Sequence, residues 1–333
     1  MIFGAAFDPS FITMTDRFGR SIDYLRISVT DRCNLRCKYC MPEDGVADIG
    51  HKNIIGFEAI ERIVRVAVDL GFRKFRITGG EPLVRRGVVG LVERIASVSG
   101  VDTLAMTSNG ILLSRMAAEL AAAGLDRVNI SLDTLQAERY RDITRGGELS
   151  DVLAGIRAAE TAGLTPIRVN VVAVRGFNDD EVLDFARLTR LYPWDVRFIE
   201  LMPIGDTAGF GSGYISVDEL GAALQGYEPV SPNGVKAVAR YYRYPGAPGR
   251  VGLISPLSSH FCGDCNKLRL TADGRLKTCL HSNREIDVKP ALGSADDAAL
   301  KALLSEAVLA KEERHLINDG EAPVRRGMNK IGG

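Results

Sequence analysis

The sequence predicts an α/β chain: a partial (β/α)6 barrel of the TIM type, followed by a small β-containing C-terminal domain. Two observations carry this. From Ile22 to about Met202 strand-like and helix-like stretches alternate, and after Pro203 that rhythm stops. Six βα units in series imply a parallel sheet with outer helices. A doubly wound sheet fits the same alternation, and the pattern alone does not choose between them.

Strand candidates begin near Tyr24, Phe75, Leu104, Arg127, Ile167 and Val196. They are short and rich in Val, Ile and Leu, as strands buried on both faces should be. Between them, Phe57 to Leu70 places apolar residues at helical spacing and stops at Gly71. Ser114 to Ala123 stops at Gly124 and Asp151 to Ala162 at Gly163. Asp179 to Leu191 follows Asn178, a suitable cap. Gly205 to Gly213 reads as a loop and marks a domain boundary. Beyond it Val217 to Leu224 reads as a short helix. Lys267 to Leu270 and Arg275 to Leu280 flank the turn signal Ala272 to Gly274, and Val308 to Leu316 reads as helical. The expected organisation is an N-terminal extension (1–21), a barrel (22–204), a C-terminal domain (214–317) and a polar tail (318–333) ending in Gly332 and Gly333.

With 333 residues, 46% hydrophobic and 25% charged, and a formal net charge of zero, the composition is that of an ordinary globular protein. Charge balance argues against a broad nucleic-acid-binding surface but leaves room for a local cationic pocket. No apolar run approaches membrane-spanning length, and Met1 to Ser10 lack a basic secretory n-region. The expectation is a cytoplasmic protein with no nucleic-acid or membrane partner, where clustered cysteines more often bind metal than form disulfides.

All six cysteines fall in two groups. Cys33, Cys37 and Cys40 are spaced C-x3-C-x2-C just after the first strand; Cys262, Cys265 and Cys279 are spaced C-x2-C-x13-C. Three thiolates hold three corners of a cubane iron–sulfur cluster, whose closed form takes four. The remaining iron then has an open position, the mark of a reactive rather than a structural metal site. Spacing alone also admits zinc, with His51 as a fourth ligand to the first triplet and His260 or His281 to the second.

The first triplet, with Tyr39 before its last cysteine, resembles the radical S-adenosylmethionine (SAM) superfamily, as does Gly79-Gly80-Glu81-Pro82 after the second strand. The run from Phe261 to Cys279, the run Leu25 to Asn34 and the terminal Gly332-Gly333 narrow the resemblance to the GTP 3',8-cyclase family of molybdenum cofactor biosynthesis. The resemblance implies two [4Fe-4S] clusters and SAM as cofactors, and a low-potential electron donor as partner. The chain itself would be a monomer or a homodimer. Tyr39, Gly80, Ser131 and Met202 would contact SAM. Arg26, Arg76, Thr107, Arg168, Lys267, Leu268 and Arg269 would contact GTP, with Arg26 and Arg197 in catalytic roles. Arg168 stands where the family usually has Lys, and Lys267 where it usually has Arg. The resemblance also implies that the terminal glycines insert into the active site, guided by Arg325 and Arg326. The other readings are a two-cluster radical SAM enzyme acting on a peptide, and a non-enzymatic zinc or iron–sulfur protein.

One argument for the cationic set is independent of resemblance. Arg26, Arg76, Arg168 and Arg197 lie within strands, and a charge inside an apolar run must point at a partner or a cavity.

Overall fold

A computed structural model describes residues 13–45, 49–204, 213–230, 238–317, 324 and 326–332. A short hairpin, β1 (Met14–Thr15) and β2 (Ser21–Ile22), leads into β3 (Tyr24–Ser28). The alternating region follows: α1 (Phe57–Asp69), β4 (Lys74–Thr78), α2 (Val88–Ala96), β5 (Thr103–Ser108), α3 (Leu113–Ala122) and β6 (Arg127–Ser131). It continues with α4 (Ala137–Thr144), α5 (Leu149–Thr161), β7 (Arg168–Ala173), α6 (Val182–Leu191) and β8 (Asp195–Glu200).

The glycine stops share one local chemistry. Gly71, Gly124 and Gly163 all have positive φ. After α1, Gly71 N donates to Val68 O and Phe72 N to Ala67 O; the same pair of bonds closes α3 and α5. This is the Schellman arrangement, which satisfies the last carbonyls of a helix. Asn178 acts differently from the expected cap. Residues Asp179–Glu181 form a 3₁₀ turn, α6 starts at Val182, and the Asn178 amide instead bonds Val174 N, Asp133 O and Val172 O. It fastens the ends of two strands together.

The C-terminal third contains α7 (Val217–Ala223), β9 (Glu228–Val230), β10 (Arg240–Arg243), β11 (Arg250–Ile254), β12 (Lys267–Leu270), β13 (Arg275–Lys277) and β14 (Glu285–Asp287). Three helices follow: α8 (Lys289–Leu292), α9 (Ala298–Leu309) and α10 (Met328–Ile331). The helix expected over Val308 to Leu316 therefore lies earlier, in the Ala- and Leu-rich run that ends at Leu309. The boundary placed at Gly205 to Gly213 falls mostly outside the described residues.

These strands do not build a sheet of their own. One twelve-stranded sheet runs β14-β13-β12-β3-β4-β5-β6-β7-β8-β11-β10-β9. Its centre, β3 to β8, is parallel and in chain order. β12 adds to it in parallel beside β3, and β11 in parallel beside β8. β11 and β12 are not paired, so the sheet curls around a cavity without closing.

The strands also differ from the expectation of two apolar faces. Leu25, Ile27, Phe75, Ile77, Leu104, Met106, Val128, Ile130, Val196 and Phe198 belong to the outer core under the helices. The alternate positions Tyr24, Arg26, Lys74, Arg76, Thr107, Arg127, Asn129, Arg168, Asn170 and Arg197 line the cavity. Ordinary barrels fill this space with layers of branched side chains. Charged and amide side chains cannot pack that way, so the barrel stays hollow.

Candidate active site between two cysteine triplets

The cavity is about 950 Å³, and all six cysteines line it. A single chamber thus spans both triplets. Among the described residues, no three His, Cys, Asp or Glu side chains converge closely enough for one metal ion. The donor chemistry fits an iron–sulfur cluster: three thiols per trio.

The first triplet is held by backbone and carboxylates. Gly80 N donates to Thr30 O at 2.7 Å and Glu81 N to Arg32 O at 2.8 Å. A Cβ on Gly79 would stand 2.7 Å from Thr30 O, and one on Gly80 would collide with Arg32 O. The glycine pair therefore lets the cysteine loop lie flat on the end of β4. This is a demand of the fold as well as of any ligand's approach. Glu81, fully buried, accepts from Leu83 N, Ser108 Oγ and Asn109 N. Asn109 then reaches Asn34 Oδ1 at 2.8 Å and Cys33 Sγ at 3.8 Å. Burial pushes Glu81 up to about 7. The Tyr39 hydroxyl donates to Asp133 at 2.6 Å, and burial pushes Asp133 up to about 6. All three thiols are pushed up, chiefly by burial, Cys40 to about 12. Gly80, Ser131 and Met202 line the same end of the fold.

The second triplet has a different setting. The backbone N–H groups of His315, Lys267 and His281 serve Cys262, Cys265 and Cys279 respectively. Burial raises Cys262 and Cys279. It also raises Cys265, but Lys311 and Lys267 outweigh it and leave that thiol below its ordinary value. Three of the four histidines gather here: the ring of His315 lies 5.5 Å from that of His260 and 5.1 Å from that of His281. Burial, then the neighbouring His315, drives His281 down to about 3.

Between the triplets lies a cationic wall. Register places Arg269, Arg26, Arg76, Ala105 and Arg127 side by side across β12, β3, β4, β5 and β6. A second row holds Asn129, Arg168, Asp195 and Arg250, and a third Asn170, Arg197 and Gly252. Burial pushes Arg26, Arg269, Arg127 and Arg197 down, Arg197 to about 10, and neighbouring arginines add to the fall in each. The buried Nε atoms of Arg76, Arg127 and Arg197 have no hydrogen-bond partner. Apart from Asp195, which pairs Arg168 and Arg250, the polar side chains of the three rows are cations and amides. Guanidinium forks suit phosphate, which they meet with paired, charge-assisted hydrogen bonds.

The anticipated GTP-contacting residues Arg26, Arg76, Thr107, Arg168, Lys267 and Arg269 therefore share one chamber with Arg197. Arg76 also donates to Thr107 Oγ1 at 3.4 Å. Leu268 is the exception. It is fully buried in the outer core, on the face opposite Lys267 and Arg269, because strand parity turns it away. Its side chain cannot meet a ligand in the cavity. Arg168 is held by Asp195 at 3.3 Å, and Asp195 also grips Arg250 through both oxygens. Sequence reading missed Arg127, Lys74, Asn129, Asn170 and Arg250. The signal was available for all but Arg250: the others sit at the cavity parity of an expected strand, whereas β11 was not among the strands expected.

The tail reaches the chamber as well. Gly332 O accepts from Arg269 at 2.6 Å, and Asn329 Nδ2 donates to Asp31 O at 3.0 Å. Gly332 has φ +77°, and a Cβ there would collide with Thr78 Oγ1. Arg326 does not guide this from inside: it is clamped to Asp273 and Glu285 on the C-terminal hairpin. Arg325 and Gly333 lie outside the described residues.

A chamber with one cysteine trio after the first parallel strand and a second flanking the β12–β13 hairpin has the layout of a radical SAM protein, and the comparisons agree. Residues 27–189 match the Radical SAM superfamily and residues 194–317 match Molybdenum Cofactor Synthesis C. The Streptococcus suis SuiB structure bound to S-adenosylmethionine superposes with a TM-score of 0.60 at 15% identity, over 86% of this chain and 69% of that one, which speaks to fold alone. The GTP 3',8-cyclase of Alkaliphilus oremlandii (strain OhILAs) is 50% identical over 96% of this chain and 100% of its own length. That of Moorella thermoacetica (strain ATCC 39073 / JCM 9320) is also 50% identical, with the same coverage. The chain belongs to the GTP 3',8-cyclase family. No helix among the described residues is long and apolar enough to cross a membrane.

Proposed function

We propose that this chain is a radical SAM lyase that converts GTP to 3',8-cyclo-7,8-dihydro-GTP for molybdenum cofactor biosynthesis. The single observation that carries the reading is the arginine wall lying between two cysteine trios in one cavity. Bound SAM and its cluster would supply the 5'-deoxyadenosyl radical that takes hydrogen from C3' of GTP.

The chain's own residues do the rest by placement. Cys33, Cys37 and Cys40 would hold the first cluster, with Tyr39, Gly80, Ser131 and Met202 around SAM. Cys262, Cys265 and Cys279 would hold the second, which would supply a binding position for the purine. Arg26, Arg76, Arg168, Lys267 and Arg269, with Arg197, would hold the triphosphate and ribose and fix C3' against the radical source. Holding the two reactants in one geometry is worth several kcal/mol of barrier. The enclosed chamber would exclude water and oxygen from a reactive intermediate. The barrel (22–204) and C-terminal unit (214–317) act as one site, since each supplies one trio and part of the wall. A low-potential donor must supply electrons.

The test is anaerobic incubation of reconstituted protein with SAM, dithionite and GTP deuterated at C3'. Deuterium is expected in 5'-deoxyadenosine. Unlabelled 5'-deoxyadenosine, formed at the same rate without GTP, would overturn the reading.

A further inference from the structure

Lys311 stands just past the C-terminus of α9, is 2% exposed, and has no part in the roles above. Its ammonium donates to Lys267 O at 2.8 Å and Thr278 O at 2.8 Å, and lies 4.0 Å from Cys265 Sγ. The two carbonyls belong to the two arms of the second cysteine loop: one lies two residues after Cys265, the other one residue before Cys279. Among the described residues Lys311 makes no salt bridge with a carboxylate. An ammonium taken out of water costs several kcal/mol unless an opposite charge stands beside it. Two neutral carbonyls do not supply that charge. The Cys265 sulfur, as a thiolate, does.

The delivery of this side chain is firm. Lys311 N donates to Val308 O, closing the last turn of α9. Arg20, 7% exposed and paired with Asp16, donates to the carbonyls of Cys262, Glu312 and Glu313. It rivets the segment after α9 to the first cysteine of the same loop. Among the described residues the first triplet has no such buried ammonium; the Lys38 side chain there is 38% exposed and pairs with Asp142.

We propose that Lys311 sets the charge of the second cluster, its ammonium offsetting one negative charge of the thiolate-bound iron–sulfur group while bridging both cysteine arms. The proposal rests on the two-cluster reading above. A cation beside a ligand sulfur favours the reduced, more negative state, so it raises the reduction potential; outer partners of this kind tune metal sites generally.

The experiment uses the reconstituted full chain and the variants Lys311→Met and Lys311→Arg. Iron content and EPR-monitored redox titration are measured anaerobically, with SAM added to mark the first cluster's signal. Lys311→Met is expected to shift the second cluster's equilibrium at least tenfold toward the oxidised form, about 59 mV lower for one electron. The first cluster's potential should stay put, and Lys311→Arg should restore most of the shift. Loss of the second cluster in Lys311→Met alone, with Lys311→Arg intact, also supports the assignment. Equal potentials in parent and Lys311→Met would overturn it. So would loss of the cluster in both variants alike, which marks a strut of fixed shape rather than a charge. A parent protein that takes up only one cluster would instead sink the two-cluster reading.

Discussion

The two cysteine trios have the same number of thiols but opposite surroundings. The first lies among Glu81, Asp133 and backbone, with the exposed Arg36 on the Cys33 carbonyl as its nearby cation, and burial still raises every one of its thiols. The second lies beside Lys311, Lys267 and Arg269, and one of its thiols, Cys265, is lowered. Carboxylates near a metal group resist added electrons, whereas ammonium groups welcome them. With both clusters in place as proposed, the first end would favour giving an electron and the second holding one, with the cationic wall between them.

The largest test of this contrast is Gly80→Ala. The new methyl group meets the Arg32 carbonyl, a backbone atom that cannot step aside without moving the cysteine loop. Iron should fall to roughly half that of the parent, since one of two cubanes is lost. Iron and sulfide analysis checks this; a full complement with normal spectra would show that the loop tolerates the shift. Gly332→Ala comes next. It should leave iron intact yet slow turnover about tenfold or more by dislodging the carbonyl held by Arg269, a cost near 1.4 kcal/mol. Unchanged turnover would reject an active role for the tail.

The wall gives smaller effects. Arg127→Ala should weaken GTP binding about tenfold, near 1.4 kcal/mol, in equilibrium titration of the reconstituted protein. Asp195→Asn should cost less, about threefold, because Arg168 keeps its charge and loses only its brace. If Arg127→Ala binds GTP like the parent, the phosphates lie elsewhere on the wall.

The smallest effect concerns pH. Burial raises Glu81 to about 7 and Asp133 to about 6. Unfolded carboxyls titrate near 4, so between these values the folded chain holds more protons than the unfolded one. Stability should therefore fall as pH rises through that window. Glu81→Gln should flatten the slope. Urea melts of the cluster-free protein at pH 5 and pH 7.5 measure it; equal slopes in both proteins would remove Glu81 from the account.

Much of this was legible from sequence because it was local. Cysteine spacing, the Gly79-Gly80 turn and the glycines ending α1, α3 and α5 act within a few residues. What escaped depends on contacts between distant segments. Nothing near Lys267 announces that β12 will lie parallel to β3, or that β11 will extend β8. Lys311 belongs to no motif in the sequence, and only the placement of α9 delivers it to the cysteine loop. Arg26, Arg76, Arg168 and Arg197 were read as strand charges facing a cavity, but the register that sets Arg26 and Arg76 beside Arg269 and Arg127 was not. Leu268 was drawn into the site by its neighbours, although alternation turns it outward.

The hollow interior has one more consequence. Side-by-side guanidinium groups hold any chain of phosphates with little regard for the nucleoside attached. ATP, UTP and even tripolyphosphate should therefore crowd the same wall and slow the reaction as competitors. Discrimination among nucleotides would then fall to the far end, where on the proposed reading the base would meet the second trio.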